Sequence, residues 1–193
     1  MYKRQVYRVH DQPDQEKLKN LQTVVKRLGY NLKLSSNELN DSLNSLLKKA
    51  FGKNEQNLID TLMIRSMSKA EYTTKNIGHY GLSFENYTHF TSPIRRYPDV
   101  MVHRLIHAEI EGEKIKTDET ETLCKHSTHM EILATKAERD SVKLMQIKFM
   151  KDKEGKIFDA VISGVVARGV FVEVIENKCE GLVKAKDLPG DFY

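Results

Sequence analysis

The sequence predicts an α+β fold, in which a mainly helical region is followed by a short region of strands. Apolar residues recur at helical spacing through the first three quarters of the 193 residues. From Gly155 the pattern changes to valine-rich alternation with glycines at the turns, which is typical of small antiparallel barrels. We therefore expect a helical domain over 1–150, a linker over 151–154 and a β domain over 155–193.

The first helix is expected to follow Asp11, which can cap it, with Pro13 and Asp14 in its first turn. Gly29 is a natural stop, because glycine readily takes the left-handed conformation that ends many helices. The apolar residues of this first helix recur at the spacing of one helix face. The stripe consists of Leu18, Leu21, Val25 and Leu28.

Two more helices are predicted before residue 67. The second begins at Ser35 or Ser36, where the segment from Ser35 to Glu38 fits a capping box, and it ends near Gly52. The third covers about 54–66. Both helices carry apolar stripes that would build a core, and we assign no chemistry to these stripes. These stripes are Leu39, Leu43, Leu46 and Leu47 in one helix, and Leu58, Ile59, Leu62 and Met63 in the other.

The segment 68–91 lacks a sustained helical period and contains glycines and aromatic residues. An irregular stretch of that length usually means function or disorder. A helix with Pro98 in its first turn should follow and end by Gly112. The longest helix is expected over about 118–151. The apolar positions of the shorter helix are Met101, Leu105 and Ile106.

Strands are expected over 157–166, 169–175 and 181–184. They are fewer than a complete OB barrel requires. The unfinished sheet would expose an edge, so we expect it to be disordered or prone to association unless a partner covers it.

Composition limits the class of protein. Lys and Arg total 31 against 27 Asp and Glu, so the net charge of +4 is mildly basic and compatible with an RNA partner. Cys124 and Cys179 are far apart and in no CxxC array, which argues against a disulfide framework or a structural zinc site. No apolar stretch approaches the ~20 residues that span a bilayer, and the first residues lack a signal-peptide core. We expect a cytoplasmic protein without a membrane partner.

The segment THFTSPIRRYPDVMVHRLI, which begins at residue 88, gathers hydroxyls and cationic forks on one short loop ahead of an apolar-faced helix. Thr91 and Ser92 precede the paired Arg95 and Arg96. Guanidinium groups match phosphate oxygens in a bidentate way, and hydroxyls and backbone amides can complete such a site. The physical reading is an anion site, most plausibly for a nucleotide phosphate. The alternative is a surface loop whose arginines pair with Asp99 and other carboxylates.

HFTSPIRRYPD followed by VHRLI resembles the arginine-bearing motif of the ribonuclease R and ribonuclease II (RNB) family. Other segments agree with that family in order. Val6 to Leu21 looks like its segment after the central catalytic stretch, and Ala137 to Val142 like a patch on its last catalytic-domain helix. Gly155 to Val174 looks like the opening strands of its terminal RNA-binding barrel. The resemblance implies the C-terminal part of an RNB catalytic domain followed by an incomplete antiparallel OB-fold barrel.

The resemblance also implies a function. Members of this family are processive 3′-to-5′ exoribonucleases that use divalent metal, so the expected parent is a monomeric enzyme that hydrolyses single-stranded RNA to nucleoside monophosphates with Mg²⁺. The family's metal-binding aspartate cluster lies upstream of the matching segments, and the scattered Asp11, Asp14 and Asp99 do not reproduce it. We therefore expect a fragment of a longer enzyme, with no metal ligands in this chain. The alternative is a non-catalytic RNA-binding module that kept the fold.

Two catalytic residues are carried over from the resemblance. Arg95 matches the first arginine of the family motif, which contacts the scissile phosphate. Glu138 matches an acidic position that supports the active site, and the alternative is an exposed helical glutamate paired with a neighbour. The remaining candidates would contact RNA through stacking, hydroxyl donors or positive charge. They are Thr91, Ser92, Arg96, Tyr97, His89, Phe171 and Lys184. The alternatives are core packing for the aromatic residues, the shape of the turn before Pro93 for Ser92, and a neighbouring carboxylate for Arg96.

The helix after the loop also carries residues of the types that bind zinc. Asp99, His103 and His107 are spaced by four and share one helical face, as metal ligands often do. An HExxH site needs glutamate beside the first histidine, and Arg104 stands there instead. We reject the zinc site and expect His103 to form a hydrogen bond within the core.

Overall fold

The structure, a computed structural model, describes residues 5–35, 38–113 and 118–188. These residues form five α-helices, a two-stranded sheet and a three-stranded sheet, both antiparallel. The predicted α+β class is confirmed. None of the described helices combines the length and the apolar content that a membrane crossing requires.

The chain divides into two compact units. The first unit contains the residues up to Asn20 together with Arg65–Thr135. The second contains Leu21–Ile64 and the residues from Lys136 onward. The division into domains over 1–150, 151–154 and 155–193 stays a prediction.

The first unit contains the two-stranded sheet. Strand β1 (Tyr7–Val9) pairs with β2 (Glu71–Thr73), with Tyr7 opposite Thr73. The pairing brings together segments more than sixty residues apart, and each strand is too short to show a period in the sequence. The sequence therefore predicted neither of these strands.

Helix α1 (Gln15–Arg27) begins later than predicted. Asp14 provides the cap, because its Oδ1 accepts hydrogen bonds from the backbone N–H groups of Glu16 at 3.0 Å and Lys17 at 3.2 Å. The prediction of Asp11 as the cap was wrong, because Asp14 is the carboxylate within reach of the helix amides. Most of the predicted stripe is buried, but Leu28 is 40% exposed. The helix stops before Gly29, which has a φ of +83°.

Helix α2 (Leu39–Ala50) starts after Glu38, which makes no side-chain cap hydrogen bond. Its carboxylate instead pairs with Lys33 at 3.1 Å, so the predicted capping box with Ser35 is not formed. The alternative start at Ser36 lies outside the described residues. Helix α3 (Gln56–Ser66) buries Ile59 and Met63 as predicted, whereas Leu58 is about half exposed.

Helix α4 (Tyr97–Glu111) carries Pro98 in its first turn and ends before Gly112, which has a φ of +70°. Helix α5 is the longest helix and covers Thr120–Lys151. The two helices contribute to the core of the first unit. The buried members of this core are Val6, Tyr72, Met101, Val102 and Cys124, with Leu105 and Leu123 packed against them.

The second sheet belongs to the second unit and has the order β3 (Ala160–Val166), β4 (Gly169–Val174) and β5 (Glu180–Lys184). Gly169 is required at the start of β4, because a Cβ there would collide with the carbonyl oxygen of Val183. The described sheet is open and does not close into a barrel. Its assignment to an OB fold stays a prediction.

Candidate functional site

The loop that carries both arginines is a closed turn immediately before α4. The carbonyl oxygen of Ser92 accepts hydrogen bonds from the backbone N–H groups of Arg95 at 3.3 Å and Arg96 at 3.0 Å. Pro93 follows Ser92, and its ring restricts the backbone of the turn. Both arginines are thus attached to an ordered backbone.

Asp99 fixes this turn from the first turn of α4. One of its carboxylate oxygens, Oδ2, accepts a hydrogen bond from the Ser92 backbone N–H at 2.7 Å and another from Nη2 of Arg96 at 2.9 Å. The Asp99 side chain is 0% exposed and that of Arg96 is 19% exposed. A buried carboxylate needs such a partner, because an unpaired charge is costly away from water. Arg96 therefore serves the fold of the loop.

Arg95 is placed differently. It is exposed, and among the described residues its guanidinium has no ion pair or hydrogen-bond acceptor. Its neighbour Ile94 is fully exposed as well. The alternative that both arginines pair with Asp99 therefore holds for Arg96 only. A free guanidinium on an ordered loop can bind an anion through two parallel N–H bonds.

The predicted hydroxyl and aromatic contacts Thr91, Ser92 and Tyr97 lie in the same loop or in the first turn of α4. Thr91 is exposed, and Tyr97 is 45% exposed. Ser92 is half-buried, and its backbone N–H is already taken by Asp99. The loop therefore offers polar and aromatic surface next to Arg95.

His89 is packed more deeply than a stacking platform for a base would be. Its Nδ1 lies 2.8 Å from the hydroxyl of Tyr72, and its ring meets Tyr72 and Tyr87 edge-on. Burial, followed by the positive charges of Arg96 and Arg8, holds the pKa of His89 below its ordinary value. His89 is thus a neutral supporting residue in this structure.

His103 was expected to form a hydrogen bond within the core, and this expectation was wrong. It is exposed on α4, where its ring stacks on Phe90 with the centroids 4.2 Å apart. Its Nε2 donates to the Phe90 carbonyl oxygen at 2.9 Å. His103 therefore holds Phe90, which lies just before the loop with both arginines, at the surface of α4.

The three residues weighed for zinc do not form a site. Asp99 is buried and engaged with the loop, while His103 and His107 are exposed. In the part of the chain that the structure describes, no group of three or more His, Cys, Asp or Glu side chains is placed to hold a metal ion.

A histidine and aromatic cluster in the first unit was missed by sequence reasoning. The rings of His10 and His79 are 5.1 Å apart, and His79 meets Tyr87 at the same distance. Nδ1 of His10 accepts a hydrogen bond from the Gly81 N–H, and Nε2 donates one to the Ser68 carbonyl oxygen. Burial and the neighbouring His10 lower the pKa of His79. These residues show no regular spacing in the sequence from which the cluster could be predicted.

A long-range ion pair ties the first strand to the longest helix. Arg8 on β1 donates to both carboxylate oxygens of Glu131 on α5, at 2.6 and 3.1 Å. The guanidinium of Arg8 also lies 4.6 Å from the ring centroid of Tyr72. The partners are 123 residues apart, so no local pattern in the sequence indicates the pair.

The other predicted site residues lie in the second unit. Glu138 is exposed on α5, and among the described residues no partner of its carboxylate is found. Phe171 is half-buried on β4, paired with Gly164 and Leu182 on the adjacent strands. Lys184 is exposed at the end of β5. The functional roles of all nine candidate residues stay predictions.

Comparison with known proteins gives the chain a family. Residues 2–112 match the model of the RNB domain. The chain is 41% identical to ribonuclease R of Aquifex aeolicus, over 97% of this chain and 27% of that protein. It therefore spans about a quarter of the length of this curated relative.

Solved structures agree with the sequence match. Mycoplasma genitalium RNase R in complex with ribose methylated single-stranded RNA has a TM-score of 0.86 and 27% identity, and the match covers 98% of this chain and 31% of that one. Yeast Ssd1, a pseudonuclease, has a TM-score of 0.73 and 25% identity over 97% of this chain and 24% of its own. On the strength of the matched domain and these relatives, the chain belongs to the RNB domain family.

Proposed function

We propose that the chain is part of a 3′-to-5′ exoribonuclease that hydrolyses single-stranded RNA to nucleoside monophosphates. Within that enzyme it supplies Arg95 as the group that contacts the scissile phosphate. The observation that carries this proposal is the contrast between the two adjacent arginines. Arg96 is bound to the buried Asp99, whereas the guanidinium of Arg95 has no partner among the described residues.

The chemistry of Arg95 follows from its charge and shape. Negative charge is spread over the phosphoryl oxygens as a phosphodiester is cleaved, and a planar fork can donate two parallel hydrogen bonds to them. Its backbone is held by the Ser92 turn, so little ordering is required when the substrate arrives. One preorganised contact of this kind contributes roughly 3–4 kcal/mol to catalysis.

The Mg²⁺ expected for this reaction does not fit the described part of this chain. Magnesium is usually held by one or two carboxylates and substrate phosphates, and no group of three or more His, Cys, Asp or Glu side chains converges in the described residues. We propose, as the resemblance implies, that its ligands lie in the upstream part of the parent enzyme. The proposed contact between Arg95 and the scissile phosphate does not involve the metal.

RNA is the proposed partner, and the described surface supports it in two places. Thr91 and Tyr97 lie beside Arg95, while Phe171 and Lys184 lie on the open sheet of the second unit. The similar RNase R of Mycoplasma genitalium was solved with single-stranded RNA. We also propose a monomeric parent enzyme in the cytoplasm, where the two buried cysteines would stay reduced.

A non-catalytic RNA-binding module is the second candidate. It is favoured by the similarity to the yeast pseudonuclease, since that protein shares the fold. Both candidates would bind RNA with a marked dependence on salt, so binding alone does not separate them. Turnover of RNA does.

The test is a chimera in which this chain replaces the matching quarter of the Aquifex ribonuclease R. The rate of 3′-end trimming of a 5′-labelled single-stranded RNA is measured under single-turnover conditions. We expect Arg95→Ala to slow trimming about 100- to 1,000-fold. The matched control is Arg104→Ala, because Arg104 is an exposed arginine on α4 outside the loop, and it should leave the rate unchanged.

Two results would overturn the proposal. One is an Arg95→Ala chimera that trims RNA as fast as the Arg104→Ala control. The other is a folded, RNA-binding chimera that carries the unaltered chain and does not trim RNA at all, which would favour the non-catalytic module.

A further inference from the structure

We propose that Asp99 is a positioning residue, which sets the conformation in which Arg95 is presented to the phosphate. It acts through Ser92 and Arg96 and does not itself touch the substrate. This inference rests on the proposed function of Arg95 and adds the element that makes that arginine effective.

The placement of Asp99 is the first step. It lies in the first turn of α4 with its side chain 0% exposed. A carboxylate near a helix N-terminus is stabilised by the backbone amides there. Full burial nevertheless requires further hydrogen bonds, and the loop provides two of them. Asp99 is therefore bound to the loop rather than to solvent.

The hydrogen bonds lead from Asp99 to Arg95 in two steps. Asp99 holds the backbone N–H of Ser92 at 2.7 Å. The carbonyl of the same residue accepts the backbone N–H groups of Arg95 and Arg96. Arg95 therefore lies on a turn that Asp99 fixes at one end through Ser92 and at the other through the side chain of Arg96.

The ion pair between Arg96 and Asp99 does not have the geometry of the strongest arginine–carboxylate pairs. An arginine and a carboxylate that pair at full strength form two parallel hydrogen bonds. Here a single oxygen of Asp99 serves both Ser92 and Arg96. Among the described residues, buried Oδ1 of Asp99 and buried Nε of Arg96 have no hydrogen-bond partner. The carboxylate is oriented by the amide of Ser92 as much as by the guanidinium.

Substitution of Asp99 should therefore lower the rate without lowering the affinity for RNA. In the chimera described above, Asp99→Asn keeps an acceptor for the Ser92 amide but loses the charge opposite Arg96, and should slow trimming about tenfold. Asp99→Ala removes both contacts and should slow it about 100-fold, the scale expected for misplacement of a catalytic group by about 1 Å. The dissociation constant for single-stranded RNA, measured by fluorescence anisotropy, should stay within about twofold.

A double-mutant cycle distinguishes positioning from a general loss of structure. If Asp99 acts through Arg95, the Asp99→Ala and Arg95→Ala double variant should trim RNA no more slowly than Arg95→Ala alone. Losses that multiply would overturn the inference. Met101→Ala, a core substitution in the same helix, serves as the reference for a purely structural defect, and its loss should multiply with that of Arg95→Ala.

The outcomes separate this inference from the proposed function. If Arg95→Ala leaves trimming unchanged, the proposed function fails. If Arg95→Ala is slow while Asp99→Asn and Asp99→Ala trim at the unaltered rate, only the inference about Asp99 fails. Should Asp99→Ala not fold, judged by its thermal unfolding, Asp99→Asn takes its place in the cycle.

Discussion

Adjacent arginines in this chain have different surroundings, and the difference comes from one buried carboxylate. Arg96 is held by Asp99 and its side chain is mostly buried, whereas Arg95 is exposed on the same turn. The sequence already suggested that this motif binds an anion. It left open which arginine was available, because spacing along a loop does not specify the direction of a side chain. Spacing does not decide between them, because Asp99 lies three positions after Arg96 and four after Arg95, and both separations allow a pair.

Arg8 offers a second test at the residue scale. Arg8→Lys keeps the charge but loses the fork that binds both oxygens of Glu131 and the planar contact with Tyr72. We expect the free energy of unfolding to fall by about 1 kcal/mol, a modest value because Glu131 is partly exposed. Urea denaturation of the chain measures it. Arg104→Lys, at an exposed position, is the matched control and should have no effect, and equal effects of both substitutions would contradict this account of Arg8.

At the scale of elements, helices were predicted more successfully than their ends. Leu18, Leu43 and Ile59, one from each predicted stripe, are buried because a helix repeats every 3.6 residues, which is visible in the sequence. Caps depend on which polar side chain reaches the first amides. Asp14 does so and Asp11 does not, and nothing in their order along the chain decides between them.

The segment between α3 and α4 could not be predicted from local sequence, because its order comes from distant partners. Backbone hydrogen bonds join Arg8 to Tyr87 and His10 to both Gly78 and Tyr80. The carboxylate of Glu121 accepts hydrogen bonds from Thr73 and Thr74. Burial raises the pKa of Glu121, but these hydrogen bonds outweigh burial and the net pKa is below its ordinary value. A long irregular stretch is thus fixed by contacts that no local pattern encodes.

The histidines of this segment predict a loss of stability in mild acid. The pKa values of His79 and His89 are lowered from 6.5 in the folded state, chiefly by burial. The unfolded chain therefore binds more protons as the pH falls through 6.5, and the stability of the fold decreases below that pH. We expect a lower thermal unfolding midpoint at pH 5.5 than at pH 8.

The substitution His89→Gln should reduce this difference between the two pH values, because it removes one of the responsible groups. His126→Gln, at an exposed position on α5, is the control and should preserve the difference. A midpoint that is unchanged or higher at pH 5.5 would contradict the lowered pKa values of His79 and His89.

At the scale of the whole molecule, the chain covers about a quarter of the Aquifex aeolicus ribonuclease R that it resembles. The family was visible in the sequence because a long and chemically unusual motif carried it. The open sheet was predicted from strand patterns too, since alternation in β4 is regular.

The chain by itself is expected to leave RNA essentially intact. One arginine contributes roughly 3–4 kcal/mol, whereas enzymes lower the barriers of their reactions by about 8–23 kcal/mol. Incubation of the purified chain with single-stranded RNA and Mg²⁺ should show no more product than the same preparation of Arg95→Ala. Rapid Mg²⁺-dependent degradation by the unaltered chain, absent from that variant, would contradict the prediction.

The most direct measurement of the central claim is the ratio of single-turnover trimming rates for the Arg104→Ala and Arg95→Ala chimeras. Both variants lose one exposed guanidinium from the same unit, so their ratio isolates the position of the charge. If Arg95 contacts the scissile phosphate, the ratio is about 100 to 1,000. A ratio near one would mean that Arg95 is an ordinary surface arginine.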